Sequence, residues 1–306
     1  MVEPMPFDHS WEAILQPGAS KEYFQVVGTD GPRCPRFRAR LGRYSPVNAW
    51  WLSELSRLIY LREADEAGTD PMGRCRNDIL ARVHLREYCF FSNKGMQFAL
   101  VTSCDDVRAP FAVLVFRGTN AFETWLSNLN TLQIGWEAGG LVHAGFKNEF
   151  LKIWGMVEDC LSEVPSHFSL FYTGHSLGGA MATLSASLRP PSAVYTFGSP
   201  RVGDAAFVQS LREVPMFRVV NNRDIVSMLP PSRIPFDFCH AGELYHHPAV
   251  VEKSIPPMEG VLPWPVRLRR AAAARQRLVG PPEFLSDHAP INYSIRLRRA
   301  ILRGAR

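Results

Sequence analysis

Apolar residues recur through the middle of the chain in short runs that alternate with longer, helically spaced ones. Residues 111–116 form a continuous apolar run, typical of a strand buried on both faces. Further strands are predicted at 169–173, 194–198 and 217–221, with helices at 145–164, 177–188 and 204–214. Strands that alternate with helices pair in parallel through right-handed crossovers. The pattern therefore predicts an α/β fold with a mostly parallel central sheet and helices on both faces.

Two elements precede this region. Apolar residues at helical spacing after Pro46 predict a helix over 46–66. Two β-rich runs, 88–92 and 96–102, are separated by Asn93, Lys94 and Gly95. Asn and Gly tolerate the positive φ that a tight turn needs, so these runs predict a β-hairpin.

The regular alternation ends near residue 232. Prolines interrupt residues 232–283, which we interpret as an irregular Pro/Arg-rich excursion with a partial strand near 239–245. Residues 290–303 then predict a basic amphipathic helix that buries Ile291, Ile295, Ile301 and Leu302. We expect residues 1–306 to form a single domain.

The net charge of +5 is unevenly distributed. Residues 267–306 carry ten Arg and two acidic residues, so this end is +8 and the rest of the chain is −3. Two interpretations stay open for the Arg-rich segments at 267–277 and 296–306: peripheral contact with an anionic membrane surface, or a solvated helix face. Nucleic acid is not expected as a partner, because the basic residues are not interleaved with aromatics.

The expected cellular compartment follows from two kinds of segment, a membrane-spanning run and a signal peptide, that the sequence does not show. No apolar run reaches the ~18–20 residues that span a bilayer. The first ten residues have no cationic and apolar signal pattern, so we expect no Sec signal peptide. A cytoplasmic protein, or one exported by another route, is predicted, and the six Cys are expected to be reduced thiols.

A G-x-S-x-G sequence runs from Gly174 to Gly178 and places Ser176 between a predicted strand and a predicted helix. Such a tight turn forces the Ser backbone into a strained conformation and presents its hydroxyl at the positive end of a helix. Side chains at Gly174 and Gly178 would collide across the turn. Ser176 is therefore the predicted nucleophile.

A serine hydroxyl needs an imidazole to accept its proton and a carboxylate to orient that imidazole. The histidines that follow Ser176 are His240, His246, His247 and His288. We favour His288, which lies in a short polar turn directly before the last helix. His246 and His247 are interpreted as a surface pair, and His175 as a side chain packed under the turn.

Asp224 is the favoured acid, because it lies just past the carboxyl end of the strand 217–221, where catalytic groups collect in open α/β sheets. Asp204 is interpreted as a helix cap. Asp237 and Glu243 remain second choices.

Acyl transfer builds an oxyanion that needs preorganised donors. The backbone N–H of Leu177 is one candidate, because it directly follows the nucleophile. Thr119, after the strand 111–116, is the other, through its N–H and its hydroxyl. Capping a helix at 121–129 is a compatible role for Thr119.

With these segments in place, the sequence resembles the class 3 lipases. The motifs that carry the resemblance lie at 115–119, 124–129, 142–146, 174–180, 196–203, 222–226 and 287–288. The resemblance implies an α/β-hydrolase fold, a Ser176–Asp224–His288 triad, and an oxyanion hole of Thr119 and Leu177.

The resemblance also implies a short lid at 120–125, with Phe122 and Trp125 as its apolar, substrate-contacting side chains. The alternative is a rigid surface helix with both side chains in the core. Neither the excursion at 246–283 nor the basic tail has a counterpart in the motifs.

These observations predict a serine hydrolase that cleaves carboxylic esters of lipids, similar to a triacylglycerol lipase, and that requires no metal or organic cofactor. A phospholipase A1 and a short-chain carboxylesterase are the alternatives within this chemistry. The alternative of another class is a catalytically silent module that binds a membrane or a partner.

Overall fold

A computed structural model describes residues 6–18, 22–25, 27–28, 31–32, 34–61, 75–93, 95–104, 109–118, 131–233, 236–247 and 280–304. Within them, seven strands form the central sheet: β1 Leu85–Asn93, β2 Met96–Ser103, β3 Phe111–Phe116, β4 Ser169–His175, β5 Ala193–Phe197, β6 Met216–Asn221 and β7 Glu243–His247. Their order is β7-β6-β5-β4-β3-β2-β1. Strands β3 to β7 are parallel, whereas β1 and β2 are antiparallel. The predicted mostly parallel sheet is confirmed.

Helices cover both faces of this sheet. They are α1 Glu12–Leu15, α2 Pro46–Leu58, α3 Arg76–Ala81, α4 Ala144–Leu151, α5 Trp154–Ser162, α6 Leu177–Leu188, α7 Ala205–Ser210, α8 Glu283–Ser286 and α9 Pro290–Gly304, with a 3₁₀ turn at Val226–Met228. Short two-stranded ribbons pair Val27–Gly28 with Gly31–Pro32, Gln133–Gly135 with Leu141–His143, and Ser232–Arg233 with Phe236–Asp237.

Strand β3 shows why the sheet has two cores. Successive side chains of a strand point to opposite faces, and every residue of β3 is at most 4% exposed. Ala112, Leu114 and Phe116 join a cluster with α4, α5 and α6. Phe111, Val113 and Val115 join a second cluster with α2 and α9. A continuous apolar run is therefore what this position in the sheet requires.

The predicted helix 145–164 is wrong as a single element, because the chain breaks between α4 and α5. Ile153 leaves the helical region, with φ −123° and ψ −13°, and its side chain is buried in the core. Phe150, Ile153 and Val157 keep a helical spacing across the break and are all buried. The apolar pattern alone therefore did not reveal it.

The other helices and strands differ less from the bounds predicted from the sequence. Helix α2 ends at Leu58 rather than at 66, and residues 62–66 lie outside the described part. Helix α7 is shorter than predicted, although Asp204 caps it as expected by accepting a hydrogen bond from the Phe207 N–H at 2.8 Å. The hairpin of β1 and β2 is confirmed, with Asn93 opposite Met96. The partial strand near 239–245 is β7.

The cysteine prediction is wrong for one pair. Cys89 on β1 and Cys160 on α5 form a disulfide, while Cys34, Cys75, Cys104 and Cys239 are free thiols. The bonded pair is 71 residues apart in sequence, so no local spacing pointed to it. Packing of α5 against the antiparallel end of the sheet brings the two together.

The C-terminal helix is present as predicted, but of the four residues expected to be buried only Ile295 is fully buried, together with Tyr293 and Leu297. Ile291, Ile301 and Leu302 are half-buried against the core. None of the helices in the described ranges has the length and hydropathy needed to cross a membrane. Most of the excursion, including the Arg-rich segment 267–277, lies outside the described residues. Membrane contact through that segment and the single-domain organisation therefore stay predictions.

Candidate active site

Ser176 occupies a sharp turn between β4 and α6. Its backbone has φ 58° and ψ −128°, a region that a non-glycine residue adopts only under strain of about 1–3 kcal/mol. The Ser176 N–H donates to the Phe197 carbonyl at 2.9 Å, and the Ser176 carbonyl accepts from the Gly179 N–H at 2.9 Å. The strained backbone expected from the G-x-S-x-G sequence is therefore present and fixed on both sides.

The two glycines of the motif allow this turn to close. A Cβ at Gly174 would lie 2.2 Å from the Gly178 carbonyl carbon, and a Cβ at Gly178 would lie 2.2 Å from the Phe116 carbonyl oxygen. Real Cβ atoms do not approach backbone this closely. The collision anticipated from the sequence is therefore a collision with main-chain atoms, which cannot rotate away.

An acid–base pair lies beside the turn. The Asp224 Oδ2 and the His288 Nδ1 are 2.8 Å apart, and both side chains are almost fully buried. Asp224 follows β6, whereas His288 lies in the turn between α8 and α9. His288 and Ser176 line the same cavity, so the structure brings the three predicted residues together at the carboxyl edge of the sheet.

Tyr293 holds the acid in place. Its hydroxyl donates to Asp224 Oδ2, the oxygen that also faces His288, and accepts from the Asn221 N–H at 3.2 Å. Burial, followed by the nearby Asp224, raises the pKa of Tyr293 well above its usual value, so the hydroxyl keeps its proton and remains a donor. The other carboxylate oxygen, Asp224 Oδ1, accepts from the Val226 N–H at 2.9 Å.

His175 links the turn to the loop of His288. The His175 Nε2 lies 2.7 Å from the His288 carbonyl oxygen, and its Nδ1 lies 3.2 Å from the Tyr60 hydroxyl. Burial, and then the neighbouring His288, lower the pKa of His175 well below its usual value, so the ring is neutral. A carbonyl only accepts, so the proton is on Nε2 and the Tyr60 hydroxyl donates to Nδ1. This agrees with the expected packing of His175 under the turn.

Asp287 joins the loop after β6, which carries Asp224, to the turn that carries His288. Its Oδ2 accepts from the Asn222 Nδ2 at 2.9 Å and from the Arg223 N–H at 3.2 Å. Its carbonyl accepts from the Asn221 Nδ2 at 2.7 Å. Burial is the main cause that raises the pKa of Asp287. These bonds fix the loop after β6 against the turn that carries His288.

The cavity at the site is small. It has a volume of about 10 Å³, room for roughly one water, and Ser176 is only 2% exposed. The Ser176 Oγ has no hydrogen-bond partner among the described residues. Its walls include Ile14, Pro17 and Tyr60.

Comparison with known proteins adds to this geometry. Residues 113–234 match the model of a family described as "Lipase (class 3)". Over these residues the chain is similar to the class 3 lipases. It is 37% identical over 149 residues to a lipase of Rhizomucor miehei, which covers 43% of this chain and 40% of that protein.

A second relative is the secreted mono- and diacylglycerol lipase 1 of Fusarium solani, 34% identical over 152 residues, or 46% of this chain and 45% of that one. The chain thus spans less than half the length of these two relatives. A solved structure of a mutant MDLA from Penicillium cyclopium covers 68% of this chain and 80% of that one, with a TM-score of 0.53 at 21% identity. That likeness concerns the fold, which is the α/β-hydrolase fold.

Part of the predicted oxyanion hole lies within the described residues. Leu177 is the first residue of α6 and directly follows Ser176. A Cβ at Gly118 would lie 2.8 Å from the His175 carbonyl oxygen, so the chain leaving β3 runs against the turn. Thr119, Phe122 and Trp125 lie outside the described residues, so their roles and the lid stay predictions.

The remaining candidates lie elsewhere. The His240 Nε2 contacts the Ser227 carbonyl at 2.7 Å, and burial lowers the pKa of His240 to about 3. His246 is exposed and its Nε2 lies 2.7 Å from the Asn222 carbonyl. Asp237 and Glu243 are exposed. None of the four lines the cavity beside Ser176.

Sequence reasoning missed Tyr60, Tyr293 and the N-terminal residues that line the site. Tyr293 lies five residues after His288 on a helix, which carries no local signal for contact with Asp224. Tyr60 lies 115 residues before His175, so their contact depends on how α2 packs on the sheet.

Proposed function

We propose that this protein is a serine hydrolase that cleaves carboxylic esters of lipids. The observation that carries the proposal is the meeting of a strained, buried Ser176 and a hydrogen-bonded Asp224–His288 pair at one cavity. A neutral imidazole beside a serine hydroxyl, oriented by a carboxylate, is the arrangement that acyl transfer requires. The names of the relatives support a lipid ester, and one of them names mono- and diacylglycerols.

In the proposed reaction, the Ser176 Oγ attacks the ester carbonyl while His288 Nε2 takes its proton. Asp224 accepts the Nδ1–H and stabilises the imidazolium that forms. The negative charge on the carbonyl oxygen is stabilised by the Leu177 N–H at the start of α6 and by Thr119. His288 then protonates the departing alkoxide, which leaves as an alcohol.

Water completes the turnover. His288 removes a proton from a water molecule, the resulting hydroxide attacks the acyl-enzyme carbonyl, and the Ser176 oxygen leaves and takes the proton back. The products are one carboxylic acid and one alcohol. Triacylglycerols are the substrates we propose first.

A substrate panel tests the proposal. Purified protein is assayed on triacylglycerols of several chain lengths, on phosphatidylcholine and on p-nitrophenyl acetate, and each product is identified by its position of cleavage. We expect glyceride hydrolysis, and we expect Ser176→Ala to reduce it to background. Ser210→Ala, at the exposed end of α7, is the matched control and retains activity.

Other outcomes have defined meanings. Cleavage of phosphatidylcholine alone at the first position makes the protein a phospholipase A1, and cleavage of the acetate alone makes it a short-chain esterase. A folded wild-type protein that is silent on every ester contradicts the proposal and favours the binding module.

A further inference from the structure

The N-terminal residues 6–18, here called the N-terminal strap, lie across the candidate active site. Helix α1 within the strap packs against α8 and α9, the two helices that flank His288. Ala13 and Ile14 are 7% exposed and belong to the same core cluster as α6. The strap therefore packs over the site through buried apolar side chains.

The first half of the strap is held on α8 and α9 by polar and aromatic contacts. Asn292 bonds the Asp8 backbone twice, through Oδ1 to the N–H at 2.8 Å and through Nδ2 to the carbonyl at 2.7 Å. The His9 Nδ1 lies 2.9 Å from the Ser286 Oγ. The guanidinium groups of Arg296 and Arg299 lie over the Phe7 ring, with their central carbons 4.6 Å and 4.2 Å from the ring centroid.

The second half ends against the turn after α2. A Cβ at Gly18 would lie 2.6 Å from the Tyr60 carbonyl oxygen, so the strap approaches this backbone as closely as only glycine allows. The Tyr23 hydroxyl donates to the Gly18 carbonyl at 3.0 Å. Tyr60 is also the partner of His175, so the end of the strap touches the framework of the site.

Between these two attachments, Ile14 and Pro17 form a wall of the cavity that holds Ser176 and His288. The cavity holds about 10 Å³, whereas sites for organic ligands have on the order of 300–1,000 Å³. Among the described residues, this cavity has no room for the acyl chain of a lipid ester. Movement of Ile14 and Pro17 would enlarge the site, and none of Ser176, Asp224 and His288 is part of the strap.

We propose that the N-terminal strap gates the site: it covers Ser176 in the resting protein and moves away, with Ile14 and Pro17, to admit the ester. The inference rests on the proposed function for the identity of the substrate. The contacts of Phe7, Asp8 and His9 set how often the strap opens, since they hold its first half on the surface of α8 and α9 and form no part of the site.

A release variant tests the gate. Phe7→Ala/His9→Ala removes two anchoring side chains that do not line the cavity beside Ser176, so the open fraction rises and we expect kcat/KM for a dodecanoyl ester to increase about tenfold. Glu12→Ala is the matched control, because Glu12 is exposed on α1 and does not line the cavity; its kcat/KM should stay within about twofold of wild type. A folded release variant with unchanged or lower kcat/KM overturns the proposal.

A second measurement does not depend on turnover or on any strap variant. The Asp8 amide donates from the strap to the Asn292 Oδ1 on α9, so its hydrogen exchange reports separation of the strap from α9. Micelles of a non-hydrolysable ether analogue of the glyceride should speed this exchange about tenfold in Ser176→Ala, and leave α6 amides protected. Unchanged strap exchange under conditions in which the wild type hydrolyses the ester overturns the gate.

The two proposals fail separately. A wild type that cleaves no ester contradicts the proposed function, while exchange with the ether analogue still decides whether the strap moves. An active wild type whose strap stays protected contradicts only the gate.

Discussion

The turn at Ser176 and the Asp224–His288 pair lie side by side, yet they are assembled in opposite ways. The turn is built by five consecutive residues, Gly174 to Gly178, whose glycines let main chain approach main chain. The pair joins two loops that are 64 residues apart and are held together by side-chain hydrogen bonds, with Tyr293 of α9 donating to Asp224. The turn at Ser176 is thus a local backbone structure, whereas the Asp224–His288 pair forms only when distant segments pack together.

This difference predicts different kinds of failure. A backbone clash in the turn has no side chain that can rotate away, so it acts on the fold itself. The pair is held by individual hydrogen bonds, so losing one of them acts on chemistry first. Four changes test this contrast, from the largest expected effect to the smallest.

Gly178→Ala should be the most damaging, because its Cβ would lie 2.2 Å from the Phe116 carbonyl oxygen. We expect the free energy of unfolding to fall by about 4 kcal/mol or more, with complete loss of esterase activity, measured by urea denaturation and by assay. Gly155→Ala is the control, because a Cβ there has open space. It should be neutral or stabilise the protein by up to ~1 kcal/mol. Equal stability of the two variants would contradict the inference that main-chain atoms leave no space for a side chain at Gly178.

Asp224→Asn should remove catalysis but not the fold. A carboxylate offers two acceptor oxygens and a negative charge that stabilises the imidazolium, whereas an amide has one acceptor oxygen and no charge. We therefore expect kcat to fall about 10³- to 10⁴-fold with KM little changed. Asp237→Asn, at an exposed position, is the control and should retain full kcat. Comparable losses in the two variants would reopen the choice of acid.

Tyr293→Phe removes one donor from Asp224 Oδ2 and leaves the His288 contact in place. We expect kcat to fall about tenfold, the value of one charge-assisted hydrogen bond, and the free energy of unfolding to fall by ~1–3 kcal/mol, because the buried Asn221 N–H loses its acceptor. Steady-state kinetics and a melting curve check this. A melting temperature that collapses, with unchanged kcat in the folded fraction, would mean that Tyr293 serves packing alone.

His240→Gln should have the smallest effect, and only in acid. His240 supports the loop after Asp224 through the Ser227 carbonyl, and burial lowers its pKa to about 3. In the unfolded chain it titrates near 6.5, so the unfolded state binds the extra proton between these values. Stability is therefore full above pH 6.5 and is lost as the pH falls toward 3.

As the pH falls from 6.5 toward 3, the free energy of unfolding of the wild type should decrease by up to ~1.4 kcal/mol per pH unit because of His240. His240→Gln should remove this part of the pH dependence. Chemical denaturation at a series of pH values measures it. The exposed His246→Gln is the control and should keep the wild-type slope. An identical slope in His240→Gln would mean that this loop is not acid-sensitive.

The elements that could be predicted from the sequence are those with a local cause. The buried run of β3, the helix α6 and the glycines around Ser176 all follow from periodicity or from sterics within a few residues. The break between α4 and α5 did not, because Ile153 continues the apolar spacing while its backbone leaves the helix. The Cys89–Cys160 disulfide did not either, since its two halves meet only after α5 packs on the sheet.

The sequence by itself determined the parallel sheet and the strained turn at Ser176, and it predicted an acid and a base in the right chain order. Only the tertiary structure decided what surrounds them: Tyr293 on Asp224, Tyr60 on His175, and a strap from the other end of the chain over the cavity. Backbone strain and apolar period are properties of neighbouring residues, whereas these contacts join residues more than 60 positions apart. Such contacts depend on how whole helices pack, which no local pattern specifies.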